Sequence, residues 1–138
     1  MKLLTFLVDH FRWAPFSQTL EDASTDYEAD EVGEAVVVFL HLEKNDMVED
    51  NYNKVFRKTL KHIKWLANKK DFTDIVLHSF THLGGDSAAP DDAEQWMNAM
   101  AERLETTGYS VKITPFGWFS SWEISVQGDS LAKVWKEF

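Results

Sequence analysis

The chain has 138 residues and a formal net charge of −9, a length that fits one domain with a core of its own. It contains no cysteine, which excludes disulfides, thiolate zinc sites and cysteine nucleophiles. The acidic balance disfavours non-specific binding to nucleic acid, and no apolar run approaches the ~20 residues of a membrane span.

Lys2 to Asp9, "KLLTFLVD", has the apolar density of a buried strand. It is too short for a secretion signal, and Asp9 interrupts it. A single soluble, cytoplasmic domain over residues 1–138 is predicted. Arg12 to Leu20 predicts a second strand, weakened by Pro15. Glu21 to Glu34 holds seven acids and almost no large apolar residue, which predicts a solvated loop. Ala35 to Leu42, "AVVVFLHL", is β-branched and nearly continuous, the pattern of a central strand.

Asp50 to Ala67 carries Tyr52, Val55, Phe56, Thr59, Leu60, Ile63 and Leu66 at helical spacing. Seven of the fourteen basic residues fall between Lys54 and Lys70, mostly on the opposite face. Asp74 to Ser79 predicts a strand. Pro90 opens a helix to about Thr106, with Ala93, Trp96, Met97, Met100, Ala101 and Leu104 inward and Gly108 at its exit. Tyr109, Val111 and Ile113 alternate, as do Trp122, Ile124 and Val126, so two half-buried strands flank the turn "TPFGWFSS". Ser130 is placed to cap a short C-terminal helix. The fold class is therefore α+β: a mixed sheet, two main helices and a short final helix.

Three motifs suggest chemistry and fail. "GDSL" at Gly128 to Leu131 matches an esterase signature, but only seven residues follow it and none is histidine. "HLE" at His41 to Glu43 mimics a zinc deaminase without the paired cysteines such sites need. His78 and His82 fall on a strand and its exit, where four residues span about 13 Å, too far for one ion. No metal site and no cofactor are expected.

Three segments taken together resemble the N-terminal editing domain of archaeal-type threonyl-tRNA synthetase: "VVVFLHLEKND" (Val36 to Asp46), "SFTHLGGDSAAP" (Ser79 to Pro90) and "TPFGWFSSWEISVQGDSLAKV" (Thr114 to Val134). Their order and spacing agree with that family, as does the first strand. The resemblance implies a fold similar to D-aminoacyl-tRNA deacylases, often paired as a homodimer, and hydrolysis of serine wrongly attached to threonine tRNA. The domain would be free-standing, with the ATP and zinc binding of the parent family belonging to the synthetase body.

Carried over residue by residue, the resemblance makes His82 a pocket histidine and a candidate catalytic residue. Leu42 and Glu43 would form one wall through their backbone. Thr81, Phe116, Gly117, Trp118 and Phe119 would contact substrate. Where the family has a lysine after the two aromatics, this sequence has Ser120, the second catalytic candidate; where it has a glutamate in the last helix, this sequence has Lys133. Serine offers one hydroxyl in place of a cation. Lys54, Lys58 and Lys61, on the basic helix face, are the candidate tRNA contacts. The leading expectation is an aminoacyl-tRNA deacylase acting on seryl-tRNA(Thr). The alternative is a catalytically degenerate relative that binds a small ligand, tRNA or a protein.

Overall fold

The computed structural model describes all 138 residues. Its elements are β1 (Lys2–Gln18), β2 (Asp30–Val32), β3 (Ala35–His41), a 3₁₀ turn (Lys44–Met47), α1 (Glu49–Lys70), β4 (Asp74–Ser79), α2 (Pro90–Glu105), β5 (Ser110–Ile113), β6 (Trp118–Val126) and β7 (Lys133–Glu137). β1 pairs antiparallel with β3, while β3–β4 and β4–β5 are parallel. Parallel neighbours need crossover connections. α1 and α2 supply them, which makes the sheet mixed and places β3 at its middle.

Both helices turn their apolar sides to one sheet face. Val55, Ile63 and Leu66 of α1 and Trp96, Met100 and Leu104 of α2 share a core with Leu3, Leu7, Val38, Leu40, Ile75 and Leu77. The other face carries a second cluster with Val8, Phe11, Trp13, Val37, Phe39 and Val76. β3 is buried on both faces, which is why its sequence reads as an apolar run broken only by His41 at its end.

The long β1 organises the rest. Phe11↔Val32 and Val8↔Ala35 keep one register, so β2 and β3 continue each other along one edge. β7 and β6 line the other edge, against Lys2–Phe6 and Val8–Gln18. Irregularities at Val8/His10 and Pro15/Ser17 bend the strand, as bulges do. The sheet thereby curls until Trp122 of β6 packs against Phe39 and His78, at ring separations of 4.9 and 5.1 Å.

Four expectations need correction. The two N-terminal strands are one: Pro15 sits beside a bulge, beyond the end of the β2 pairing, where a missing N–H does little harm. The acidic segment contains β2, and Lys112 bonds Asp30 at 2.9 Å. Trp122 and Ile124 are exposed at 39% and 37% rather than half-buried. No C-terminal helix exists. Asp129, not Ser130, caps the turn by accepting from the Leu131 N–H at 2.9 Å, and residues 133–137 pair with β1 as β7. The open edge of β1 is satisfied by this strand, as buried backbone groups require.

Candidate active site

At the C-terminal end of β4 the sheet, α2 and the β5–β6 turn leave a cavity of about 550 Å³. His78, Ser79 and Phe80 reach it from β4; Thr81, His82, Ser87 and Ala88 from the following loop; Pro90 and Ala93 from the start of α2. Pro115 to Ser120 and Trp122 form the facing wall, and Thr19 and Leu20 close one end. The only titratable side chains in this lining are two histidines; no carboxylate, lysine or arginine enters it.

The facing wall is built around Gly117. Its φ of +80° belongs to the left-handed region, and a Cβ there would lie 2.8 Å from that of Ala23. The bare backbone lets the Gly117 carbonyl accept from the N–H groups of Thr19 and Leu20, at 2.7 and 3.2 Å. Trp118 Nε1–H donates to the Ser24 carbonyl at 2.8 Å. The turn is thus strapped to the segment after β1 through the Gly117 carbonyl and the Trp118 indole.

The opposing loop is fastened by His41. This side chain is fully buried at the end of β3. Its Nδ1 accepts from the Leu83 N–H at 3.1 Å, which places the proton on Nε2. Nε2–H points at the Asp86 carbonyl at 2.6 Å, with Ser87 Oγ at 2.9 Å. Backbone bonds complete the attachment, from Phe80 N–H to the Leu40 carbonyl and from Ala88 N–H to the Leu42 carbonyl, both 2.9 Å. His82, carried between these anchors, is exposed and stands edge-on to Phe80 at 5.1 Å.

Two polar groups inside the lining differ in state. His78 is hydrogen-bonded through Nδ1 to Thr114 Oγ1 at 2.7 Å, and burial pushes it down to about 4, so it is neutral near pH 7. The Ser120 hydroxyl is shielded from solvent and has no hydrogen-bond partner in the protein. An unpaired, buried polar atom is the exception in folded proteins, and Ser120 carries one at the edge of this lining.

Of the residues singled out from sequence, Thr81, His82, Phe116, Gly117, Trp118, Phe119 and Ser120 all line this cavity. Leu42 and Glu43 do not. The Leu42 carbonyl is taken by Ala88, and the Glu43 carboxylate pairs with Lys2 and with the Met1 amine, 2.9 Å away. Lys133 lies outside the lining too, with Nζ donating to the Gln127 carbonyl at 3.3 Å. Lys54, Lys58 and Lys61 are all exposed on α1. Sequence reasoning passed over Thr19, Leu20, Ser87 and Trp122, and the latch at His41. A polar ring inside an otherwise apolar strand was the available signal for the last.

A curled mixed sheet, helices on one face and an aromatic cavity without carboxylate, lysine or arginine at the strand ends define a small α+β domain. The chain belongs to the archaea-specific editing domain family of threonyl-tRNA synthetase, whose model matches residues 1–138. It is 30% identical over 136 residues to the threonine–tRNA ligase of Methanosphaera stadtmanae, covering 97% of this chain and 22% of that protein. The threonine–tRNA ligase of Thermococcus kodakarensis is 29% identical over 137 residues, with the same coverage. The chain thus spans about a fifth of the length of these relatives. Among solved structures, the c-Myc DNA Unwinding Element Binding Protein superposes with a TM-score of 0.65 at 18% identity, covering 100% of this chain and 99% of that one. The fold is the D-aminoacyl-tRNA deacylase-like one that the resemblance implies.

Proposed function

We propose that the chain is an aminoacyl-tRNA deacylase that hydrolyses the ester between an amino acid and the terminal ribose of tRNA, with seryl-tRNA(Thr) as substrate. The observation that carries this reading is the cavity that gathers the glycine-centred aromatic turn, His82 and the free Ser120 hydroxyl in one lining. Water adds to the ester carbonyl carbon, the bond to the ribose oxygen breaks, and the proton released by the water ends on that oxygen. His82 can carry this proton, and so can the neighbouring ribose hydroxyl. The Ser120 hydroxyl has no partner in the protein, and a rotation about its Cα–Cβ bond that turns it into the cavity would make it a donor for the oxyanion. Pro90 and Ala93 bring the N-terminal, electropositive end of α2 to the cavity. Trp118, Phe119 and Trp122 offer faces for the terminal base. Exclusion of one methyl group would favour serine over threonine by about 1–3 kcal/mol.

Lys54, Lys58 and Lys61 serve the tRNA body in this reading, in the cytoplasm. A second copy of the chain covers the sheet face that no helix covers. Trp135 beside Leu4, with Trp122 and Ile124 beyond, gives that face exposed apolar surface reaching the cavity mouth. Sedimentation of the wild type and of Trp135→Glu tests this: a dimer that becomes a monomer supports it, and a monomeric wild type rejects it.

The deciding experiment incubates the protein with seryl-, threonyl- and D-aminoacyl-tRNAs and follows deacylation. Selective loss of seryl-tRNA(Thr) is expected. The lack of any charged side chain in the cavity favours a second reading, a binding module for a small uncharged ligand. Failure to hydrolyse every ester tried would leave that reading in place of the first.

A further inference from the structure

The exposed side of α1 combines two features that the cavity does not explain. No carboxylate lies within ion-pairing distance of Lys54, Arg57, Lys58, Lys61, Lys64 or Lys69, whereas Lys2, Arg12, Lys70 and Lys112 all have one. In a chain with 23 acids and net charge −9, six cations without partners on one helix form a concentrated positive stripe. Within it stands Trp65, 43% exposed. Arg57, Lys61, Lys64 and Trp65 border a shallow groove of about 390 Å³ along the helix.

The Trp65 ring has two close neighbours on its own helix. The buried imidazole of His62 lies 6.1 Å from its centroid with 29° between the planes. Lys69 Nζ lies 6.0 Å from the centroid, on a long exposed side chain able to swing to an anion. A partly exposed indole among free cations offers a flat apolar face and several sites for negative charge. The ligand that matches both is a nucleotide whose base is unpaired, since a duplex presents phosphates but keeps its base faces stacked inside.

We infer that Trp65 is a stacking platform for an unpaired base of an RNA whose flanking phosphates are held by Arg57, Lys61 and Lys64. The inference rests on the reading that this chain acts on tRNA, and it adds a second RNA contact outside the hydrolytic cavity. Phosphate neutralisation supplies most of the affinity; the indole makes the site prefer single-stranded over paired RNA.

The test measures fluorescence anisotropy of a labelled unpaired oligoribonucleotide and of a duplex of equal length, over a range of salt. Trp65→Ala should weaken the unpaired oligonucleotide roughly ten-fold or more and leave the salt slope unchanged. Trp65→Phe should recover most of that loss, and thermal melting of both variants controls for folding. Lys61→Ala with Lys64→Ala should flatten the slope of log K against log salt by about 1.4, from ~0.7 per single-strand phosphate. Duplex binding as tight as unpaired, with no effect of Trp65→Ala, overturns the stacking site in favour of phosphate attraction alone. Binding indifferent to both sets of variants removes RNA from this face and leaves it to a protein. Hydrolysis of an aminoacyl-adenosine, which has no tRNA body, should be unchanged in Trp65→Ala. RNA binding without any ester hydrolysis therefore defeats only the deacylase reading, and hydrolysis without Trp65-dependent binding defeats only this one.

Discussion

The backbone N–H of Leu83 donates to Nδ1 of His41 at 3.1 Å, across 42 residues of sequence and within the buried end of β3. The same ring reaches Asp86 and Ser87, so one imidazole holds the loop that carries His82. His41→Leu leaves the Leu83 N–H and the Asp86 carbonyl without partners and should cost about 1–3 kcal/mol of stability. His41→Asn keeps an acceptor near Nδ1 and His41→Gln a donor near Nε2, so each should recover part of the loss. Amide hydrogen exchange at Leu83 reads the effect directly. Faster exchange there in His41→Leu but not in His41→Asn is expected; equal exchange in all three would show that the loop holds itself.

That latch also marks where the sequence stops being informative. β3 was legible because a strand buried on both faces must be apolar throughout, and Ala35 to His41 is nearly so. α1 and α2 were legible from their apolar spacing, as the buried positions Val55, Ile63, Trp96 and Met100 attest. The turn around Gly117 was legible because exposed aromatics beside a glycine need a reason. β7 was not, because "SLAKVWKEF" suits a helix as well as a strand, and only the open edge of β1, at the other end of the chain, decides between them. The partners of His41 were likewise set by chain contacts that no local pattern encodes.

Gly117→Ala tests how firmly the cavity wall is set. The added methyl group meets Ala23 at 2.8 Å and forces an L side chain to a φ of +80°. A loss of about 1 kcal/mol or more in urea denaturation should result. Ala23→Gly in the same chain removes the closest contact but leaves Leu20 at 3.2 Å and the backbone strain, so it should restore only part of the stability. Full restoration would show that the contact alone matters, and an unaltered midpoint in the single variant would show a turn free to move.

Stability should fall as pH drops from about 6.5 towards 4. Burial holds His78 at about 4, and burial with the charge of Lys136 nearby holds His62 at about 4. Below 6.5 the unfolded chain takes up protons at these sites while the folded chain does not, which favours unfolding. Each site's full shift corresponds to something on the order of 3 kcal/mol, reached only near pH 4. The carboxylates of Glu43, Asp30 and Asp129 are held low by Lys2 with the Met1 amine, Lys112 and Lys70, and push the same way at still lower pH. Urea midpoints at pH 7 and pH 5 therefore isolate the histidines. His78→Gln, which can still bond Thr114, should remove about one proton from the dependence. Equal midpoints at the two pH values would contradict the neutral, buried state of both rings.

Ser120 separates stability from activity. Its hydroxyl is shielded and unpaired in the protein, so Ser120→Ala removes an unsatisfied group and should leave thermal stability unchanged or slightly higher. If the same hydroxyl steadies water or the developing oxyanion in the cavity, its loss should slow deacylation by roughly five-fold, the worth of one neutral hydrogen bond of about 1 kcal/mol. Ser120→Lys sends a cation into a lining without any carboxylate, and Lys133 is not in that lining to repel or assist it. That variant should lose stability from the cost of burying an unpaired charge, whatever its effect on rate. Adding Lys133→Glu to it should change little, because the two side chains belong to different surroundings. A stability loss in Ser120→Ala with unchanged deacylation would mean that the hydroxyl has a structural partner. Complete loss of deacylation in that variant would make Ser120 a reacting group rather than a donor to one.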